Sequence, residues 1–422
     1  MIAMNEIEIS KTILKRLVLD QVPFALALKQ YFKKNEVEAS IRSNVTALIG
    51  CELRHHYIFD NLISRFIDEE LEFEKTIYLR FYLANHLFLK RYQDKQLYDL
   101  AKEDLPYDEV DELIKFVDST NELIPNHLDK SSPEFLSLRY NTPAWVIRMW
   151  QKQFGKGLVF KVLKVNYRQS VASIRINEKE VNIDEFISKH PDFSLSPIEN
   201  MVVYQGRGNA KNLEEFKNNK IFFMKMATKY VLDSLELSPI KSVAIYAETP
   251  NNMYLEILTK LGKDYPLDVV YNNAGSLFET RRVANEMGFS HLYIYDAPYS
   301  GLVTCISKKV NTFICLPKSS TLDLLRSTPD YFLRIKQEQL DQIIQDEYNC
   351  LDECSKFVED DGELVYMIPT LSRKESNSLI ANFLVNHPDF SLITEHQFFP
   401  FESYDSCMYY ARLKKMGENK ND

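Results

Sequence analysis

The chain is expected to fold as an α/β protein, with an all-helical bundle in front of a doubly wound domain whose sheet is mainly parallel. Three observations predict it. Apolar residues in the first third recur at spacings of three and four, and Gly and Pro are nearly absent before Pro106. From about residue 220, short β-branched runs alternate with helical patterns, which implies parallel strands joined by crossover helices. The length of 422 residues suits two or three domains, and 45% apolar with 12% aromatic content can fill their cores.

The bundle is placed at residues 1–130. Its apolar series include Ile13, Leu14, Leu17 and Val18, then Phe73, Ile77, Phe81, Ala84 and Phe88, and the loop from Pro125 to Pro133 closes it. Residues 131–220 are expected to form a basic linker and a small RNA-binding subdomain, and residues 221–422 the doubly wound domain. Strands are expected at 242–247, 267–272, 291–296, 311–316 and 363–368, with helices such as 278–287 and 337–357 between them. From Phe390 to Lys414 the pattern is that of two further strands, an antiparallel pair at the sheet edge. His-Pro-Asp-Phe-Ser-Leu occurs twice, at 190–195 and 387–392. With no further similarity around the copies, each reads as a helix end, a Pro turn and an incoming strand.

Composition excludes several classes. No apolar run reaches about 18 residues, and the start, MIAMNEIEIS, carries acid where a signal peptide carries base. A soluble, cytoplasmic protein without membrane contact is expected. The six cysteines are scattered with no CxxC pair, so no zinc spacing can be built and no metal is expected. Cys350 and Cys354, four apart, read as ordinary helix packing, and the histidines, His55-His56 included, as structural. Eleven glycines are few against the average of about 7%. That scarcity weighs against any loop that cradles phosphate with bare backbone.

One segment differs in charge. From Arg139 to Asn177 there are eight basic residues and no acid, in a chain of net charge −9. Arg139, Arg148, Lys152, Lys164, Arg168 and Arg175 are the candidate RNA-binding residues, because cations neutralise phosphates and release counterions. Aromatics lie between them, Trp145, Trp150, Phe160 and Tyr167 among others. Such rings can stack on unpaired bases, although singly they read more readily as core.

The stretch VAIYAETPNNMYLEIL, Val243 to Leu258, has the strand-turn-helix form that receives a nucleotide cofactor, yet its turn holds no glycine. Together with Leu138-Arg-Tyr-Asn-Thr-Pro-Ala-Trp145, Ser173-Ile-Arg-Ile-Asn177, Pro329-Asp330, Gln345, Leu364-Val365-Tyr366 and His387-Pro388-Asp389-Phe390, it resembles the RsmB/Sun (Fmu)-type ribosomal RNA (cytosine-5) methyltransferases, relatives of the NOP/NSUN enzymes. The resemblance implies a NusB-like bundle, a middle segment that helps hold RNA, and a Rossmann-like domain that binds S-adenosylmethionine.

The chain departs from that family's pattern where the chemistry lies. Similar enzymes use two cysteines, one adding to carbon six of cytosine and the other helping release product. Lys318 and Pro369 stand at those positions here, and Cys315 stands where an aspartate meets the base. In the cofactor turn Pro250 is kept, while Asn251 and Asn252 replace a glycine pair; Asn tolerates a left-handed backbone, so the turn can survive. At the second strand's end Tyr271 or Asn272 replaces the acid expected to bind ribose, and only Asp296 matches. Three readings stay open. The first is a catalytically degenerate protein that binds ribosomal or other RNA. The others are an active methyltransferase with Cys315 as displaced nucleophile, and a scaffold docking a protein partner through the bundle.

Overall fold

The computed structural model describes residues 2–67, 72–167, 171–206, 208–272, 277–322, 328–402 and 407–417. The chain divides into two compact units, Met1–Arg168 with Leu324–Gln337, and Gln169–Asp323 with Glu338–Asp422. Residues 131–220 are therefore shared between them: three helices fall in the first unit, a small sheet in the second.

The first unit is helical, and its helices follow from local sequence. Tyr107–Ser119 starts after Pro106 with Asp108 and Glu109 in its first turn, where acid favours the helix dipole. It buries Val110, Leu113, Ile114 and Val117, one face at helical spacing. Phe73–Ala84 is buried on every side from Thr76 onward, as a central helix must be. Its buried cation, Arg80, is paired with Glu52 at 3.3 Å and with Asp60, and His56 holds Glu52 at 2.7 Å. His56 is structural, as expected. Phe88 is not core: the helix continues into a π turn, Asn85–Leu89, whose extra residue per turn carries Phe88 off the buried face, 43% exposed.

Pro133–Tyr140 begins at Ser132, whose hydroxyl accepts from Phe135 N at 3.1 Å. It ends at Asn141, in the left-handed region at φ 48°, whose amide donates to Leu53 O at 2.7 Å and accepts from Tyr57 N at 3.2 Å. The later helix Tyr331–Arg334 belongs to this unit too. Asp330, fully buried, accepts from Phe24 N at 3.0 Å and Arg334 Nε at 2.9 Å, and Leu333 packs on the bundle core.

Among the described residues the second unit holds eleven strands: β1 (Ala172–Ile176), β2 (Phe193–Leu195), β3 (Met201–Tyr204), β4 (Ile221–Phe223), β5 (Val243–Ala247), β6 (Leu267–Tyr271), β7 (Leu292–Asp296), β8 (Val310–Leu316), β9 (Val358–Ile368), β10 (Phe390–Phe398) and β11 (Met408–Lys415). The first four form an antiparallel sheet in the order β2-β3-β1-β4, and the rest a sheet in the order β10-β11-β9-β8-β5-β6-β7. β5 to β9 pair in parallel; β11 and β10 run antiparallel at the edge. The α/β expectation and the edge pair hold. The small sheet escaped the sequence because two of its strands are three residues long, too short for a periodic signal.

Strand alternation divides the large sheet's side chains between two cores. Ile245, Val269, Tyr271, Ile314 and Val365 face helices Met226–Ser234 and Met253–Leu261. Tyr246, Val270, Cys315, Tyr366 and Ile368 face Leu340–Ser355 and Asn377–Asn386. Both His-Pro-Asp-Phe-Ser-Leu copies end a helix and start a strand, and the same bonds recur, His190 N to Phe186 O and His387 N to Phe383 O, both within 3.0 Å. In each copy the imidazole is enclosed by Phe rings on both sides.

β9 carries an insertion that sets its register on β8: Val310 lies opposite Val358, but Thr312 lies opposite Glu363. Gly362 fits inside that bulge because a Cβ there would stand 2.7 Å from Glu359 O and 3.0 Å from Asn311 O. Gly362→Ala should therefore destabilise the protein by about 1–3 kcal/mol, measured by urea unfolding, since two backbone carbonyls would have to move. An unchanged midpoint would mean the bulge is soft.

Candidate functional site

Parallel strands leave β5 in both directions, β6 and β7 on one side, β8 and β9 on the other. The switch point lies between β5 and β8, and ligands of open α/β sheets bind outside the carboxyl ends there. Register aligns those ends: Ala247 opposite Tyr271 and Leu316, and Tyr271 opposite Asp296. Glu248 N extends the ladder by donating to Leu316 O at 2.9 Å.

The turn after β5 is tied to itself. Asn251 Oδ1 accepts from Met253 N at 3.0 Å, satisfying a helix-start amide that a ligand could otherwise use. Asn252 donates its side-chain amide to Phe223 O at 2.9 Å. The expected left-handed backbone is not used: neither Asn has a positive φ, and Asn252 sits at −98°. A side-chain turn has replaced a backbone one.

Tyr271 is fully buried and donates to Asn251 O at 3.1 Å; burial raises its phenol far above its ordinary value. Asn272 is exposed and donates to Glu248 Oε2 at 2.8 Å, joining the residues just past the ends of β6 and β5. Pro250 is half-buried, and Asp296 is exposed at the end of β7. Glu248 was not among the expected residues.

On the other side of the switch point, Cys315 is fully buried within β8, Lys318 is exposed beyond the strand, and Pro369 follows β9, half-buried. The space between the two strand ends is bridged by protein groups. Glu375, 1% exposed, accepts from Ser320 N at 2.8 Å and from the hydroxyls of Ser320 and Thr370, each at 2.7 Å. Tyr366 donates to Glu375 O at 2.9 Å. No sequence signal could have shown this network, because its loop members come from the loops after β8 and after β9, with Ser320 and Glu375 55 positions apart.

The basic strip is only partly what the sequence suggested. Arg139, Arg148, Lys152 and Lys164 are exposed on the helices Pro133–Tyr140, Ala144–Phe154 and Lys156–Asn166, with Arg148 paired to Glu134. Arg168 lies outside the described residues. Arg175 must be removed from the strip. It is 1% exposed on β1, and its guanidinium meets Glu256 at 2.6 Å and Glu178 at 2.7 Å. It faces inward because alternation along β1 directs it at the helix Met253–Leu261.

Trp150 is core, but Phe160 and Tyr167 are 40% and 48% exposed. Tyr140 joins them edge-on, at 6.1 and 6.0 Å, and Lys164 lies 4.5 Å over the Phe160 ring. Beside them opens a cavity of about 710 Å³ lined by His55, Phe88, Leu138, Arg139 and Tyr167. His55 stacks on Phe88 at 3.7 Å, and its ring contacts Cys51 O at 2.9 Å and Tyr167 Oη at 3.2 Å. Burial lowers the His55 pKa, so the imidazole is neutral near pH 7. A neutral ring that donates to Cys51 O from Nδ1 leaves Nε2 to accept the Tyr167 hydroxyl. His55 is thus more than structural: it lines a cavity rimmed by cations. Phe88 and Tyr167 are far from it in sequence, Tyr167 by 112 positions, so nothing local announced them.

Comparison with known proteins matches this architecture. A probable ribosomal RNA small subunit methyltransferase B of Bacillus subtilis is 20% identical over 400 residues, 91% of this chain and 89% of that protein. That match runs over most of both chains. The chain resembles the RsmB/Sun-type family along nearly its whole length. The same fold is seen in the crystal structure of PH0851, TM-score 0.74 at 18% identity, covering 97% of this chain and 99% of that one. NSun6 from Pyrococcus horikoshii, solved with SFG, gives TM-score 0.57 at 11% identity over 64% of this chain and 98% of its own. No family model matches the sequence. Among the described residues no helix is long and apolar enough to cross a membrane.

Proposed function

We propose that the protein is a non-catalytic RsmB/Sun-type member that binds ribosomal RNA through its first unit. One observation carries the loss of catalysis: Lys318 and Pro369 occupy the two cysteine positions, and the nearest sulfur, on Cys315, is fully buried. A nucleophile must come within about 3–3.5 Å of the ring carbon, and a thiol closed inside a sheet-helix layer cannot. Asn251, Asn252 and Tyr271 satisfy one another or nearby backbone, so the residues present do not fit S-adenosylmethionine.

RNA binding is supported by exposed Arg139, Arg148, Lys152 and Lys164 beside half-exposed Phe88, Phe160 and Tyr167. Cations along a backbone track with ring faces between them are what unpaired RNA requires. The test is methyl transfer from labelled S-adenosylmethionine to unmodified small-subunit ribosomal RNA, with binding of the same RNA measured in parallel. Binding without label on the RNA is expected. Label that appears with the wild type and vanishes with Cys315→Ser would restore an enzyme with a displaced nucleophile.

A further inference from the structure

Half of the cysteines in this chain meet at one point. Cys315 on β8 and Cys350 and Cys354 on the helix Leu340–Ser355 are each at most 1% exposed, and their sulfurs all lie within 4.8 Å of one another. Cys315 and Cys350 are 3.8 Å apart, Sγ to Sγ. Three thiolates around one ion at about 2.3 Å stand about 4 Å from each other, so the set needs only a small adjustment to coordinate.

A second, independent observation points to a missing partner. Tyr246 is the cross-strand neighbour of Cys315 on β5 and is 1% exposed, yet its hydroxyl has no hydrogen-bond partner among the described residues. All three thiols act on it electrostatically. Orphaned buried hydroxyls are rare and often mark a species not yet placed. Cysteines packed only as small apolar residues would not require a donor aimed among them.

We propose that Cys315, Cys350 and Cys354 form a buried three-sulfur site for a soft, closed-shell cation of the Cu(I) class. Soft thiolates select such ions, and with no histidine or fourth cysteine among the ligands a three-coordinate ion is the better match than tetrahedral zinc. Binding makes three metal–sulfur bonds and releases the thiol protons to solvent, with no change of oxidation state. Tyr246 can donate to a bound thiolate. Glu347, on the same face of the helix, is held protonated by burial and by Glu375, up to about 12, so it adds no charge against the site.

The test titrates the reduced full-length protein with Cu(I) under anaerobic conditions against a Cu(I)-specific chelator, following thiolate-to-metal absorption in the near ultraviolet. One ion per chain is expected. Cys350→Ser and Cys354→Ala should each weaken binding by at least about 100-fold, while Cys305→Ser, outside the cluster, leaves it unchanged. Circular dichroism of each variant separates lost ligation from lost folding. The proposal fails if the wild type takes no more Cu(I) than folded Cys350→Ser does, or if it takes Zn(II) and not Cu(I).

Discussion

Glu256→Ala should cost the protein about 3–5 kcal/mol, the effect of taking one partner out of a buried charge network. Glu256 is fully buried. Its carboxylate meets Arg175 at 2.6 Å and Lys229 at 3.3 Å, and those side chains are only 1% and 4% exposed. Removing it takes away the buried carboxylate the two cations share and leaves Arg175 with only Glu178 and Lys229 with only Asp233, both partly exposed. Glu256→Gln should cost less, because an acceptor remains. Hydrogen exchange of β1 and of Met253–Leu261 gives the local readout, with protection falling by about two to three orders of magnitude in the alanine variant. Unchanged exchange there would mean that water reaches the network.

The same cluster gives a pH dependence. Burial alone would raise the Asp233 carboxyl, but hydrogen bonds from Lys229 and Lys260 outweigh it and hold it below the ordinary carboxylate range. A depressed carboxyl contributes stability that is complete above its unfolded value, near 4. The contribution is lost as pH falls through the lower folded value. Because Glu256 lies on the helix that follows the Asn251-Asn252 turn, its loss should also loosen that turn.

Charge reversal of Arg148, Lys152 and Lys164 together should weaken RNA binding and flatten its salt dependence. Each phosphate contact contributes about 0.7 to the slope of log K against log salt for a single strand, so losing three lowers the slope by about 2. Phe88→Ala and Tyr167→Ala probe a different term. Each should cost about 1–3 kcal/mol of affinity if its ring stacks on a base, with the slope unchanged. A triple variant that keeps the wild-type slope would reduce the strip to a solvated face. Aromatic variants that change nothing would detach the 710 Å³ cavity from RNA.

The contrast between Arg148 and Arg175 shows how far sequence reaches. Both lie in a run without acid, and charge density treats them alike. Alternation on β1 puts Arg175 against Glu256, 81 positions away, and pairing of that kind has no local signature. Phe88 shows the reverse error: helical spacing assigned it to the core, and a π turn exposed it.

What the sequence determined by itself is whatever depends on neighbours: helix and strand periods, the parallel order with its antiparallel edge, and the exchange of cysteines for Lys318 and Pro369. Only the tertiary structure decided where distant side chains meet. The Ser320, Thr370 and Glu375 network, the thiols of Cys315, Cys350 and Cys354, and the His55, Phe88 and Tyr167 cavity wall each join separate segments. Periodicity is a property of consecutive residues, whereas a site is a coincidence in space produced by closing loops of tens of residues, and the chain carries no record of that coincidence until it has folded.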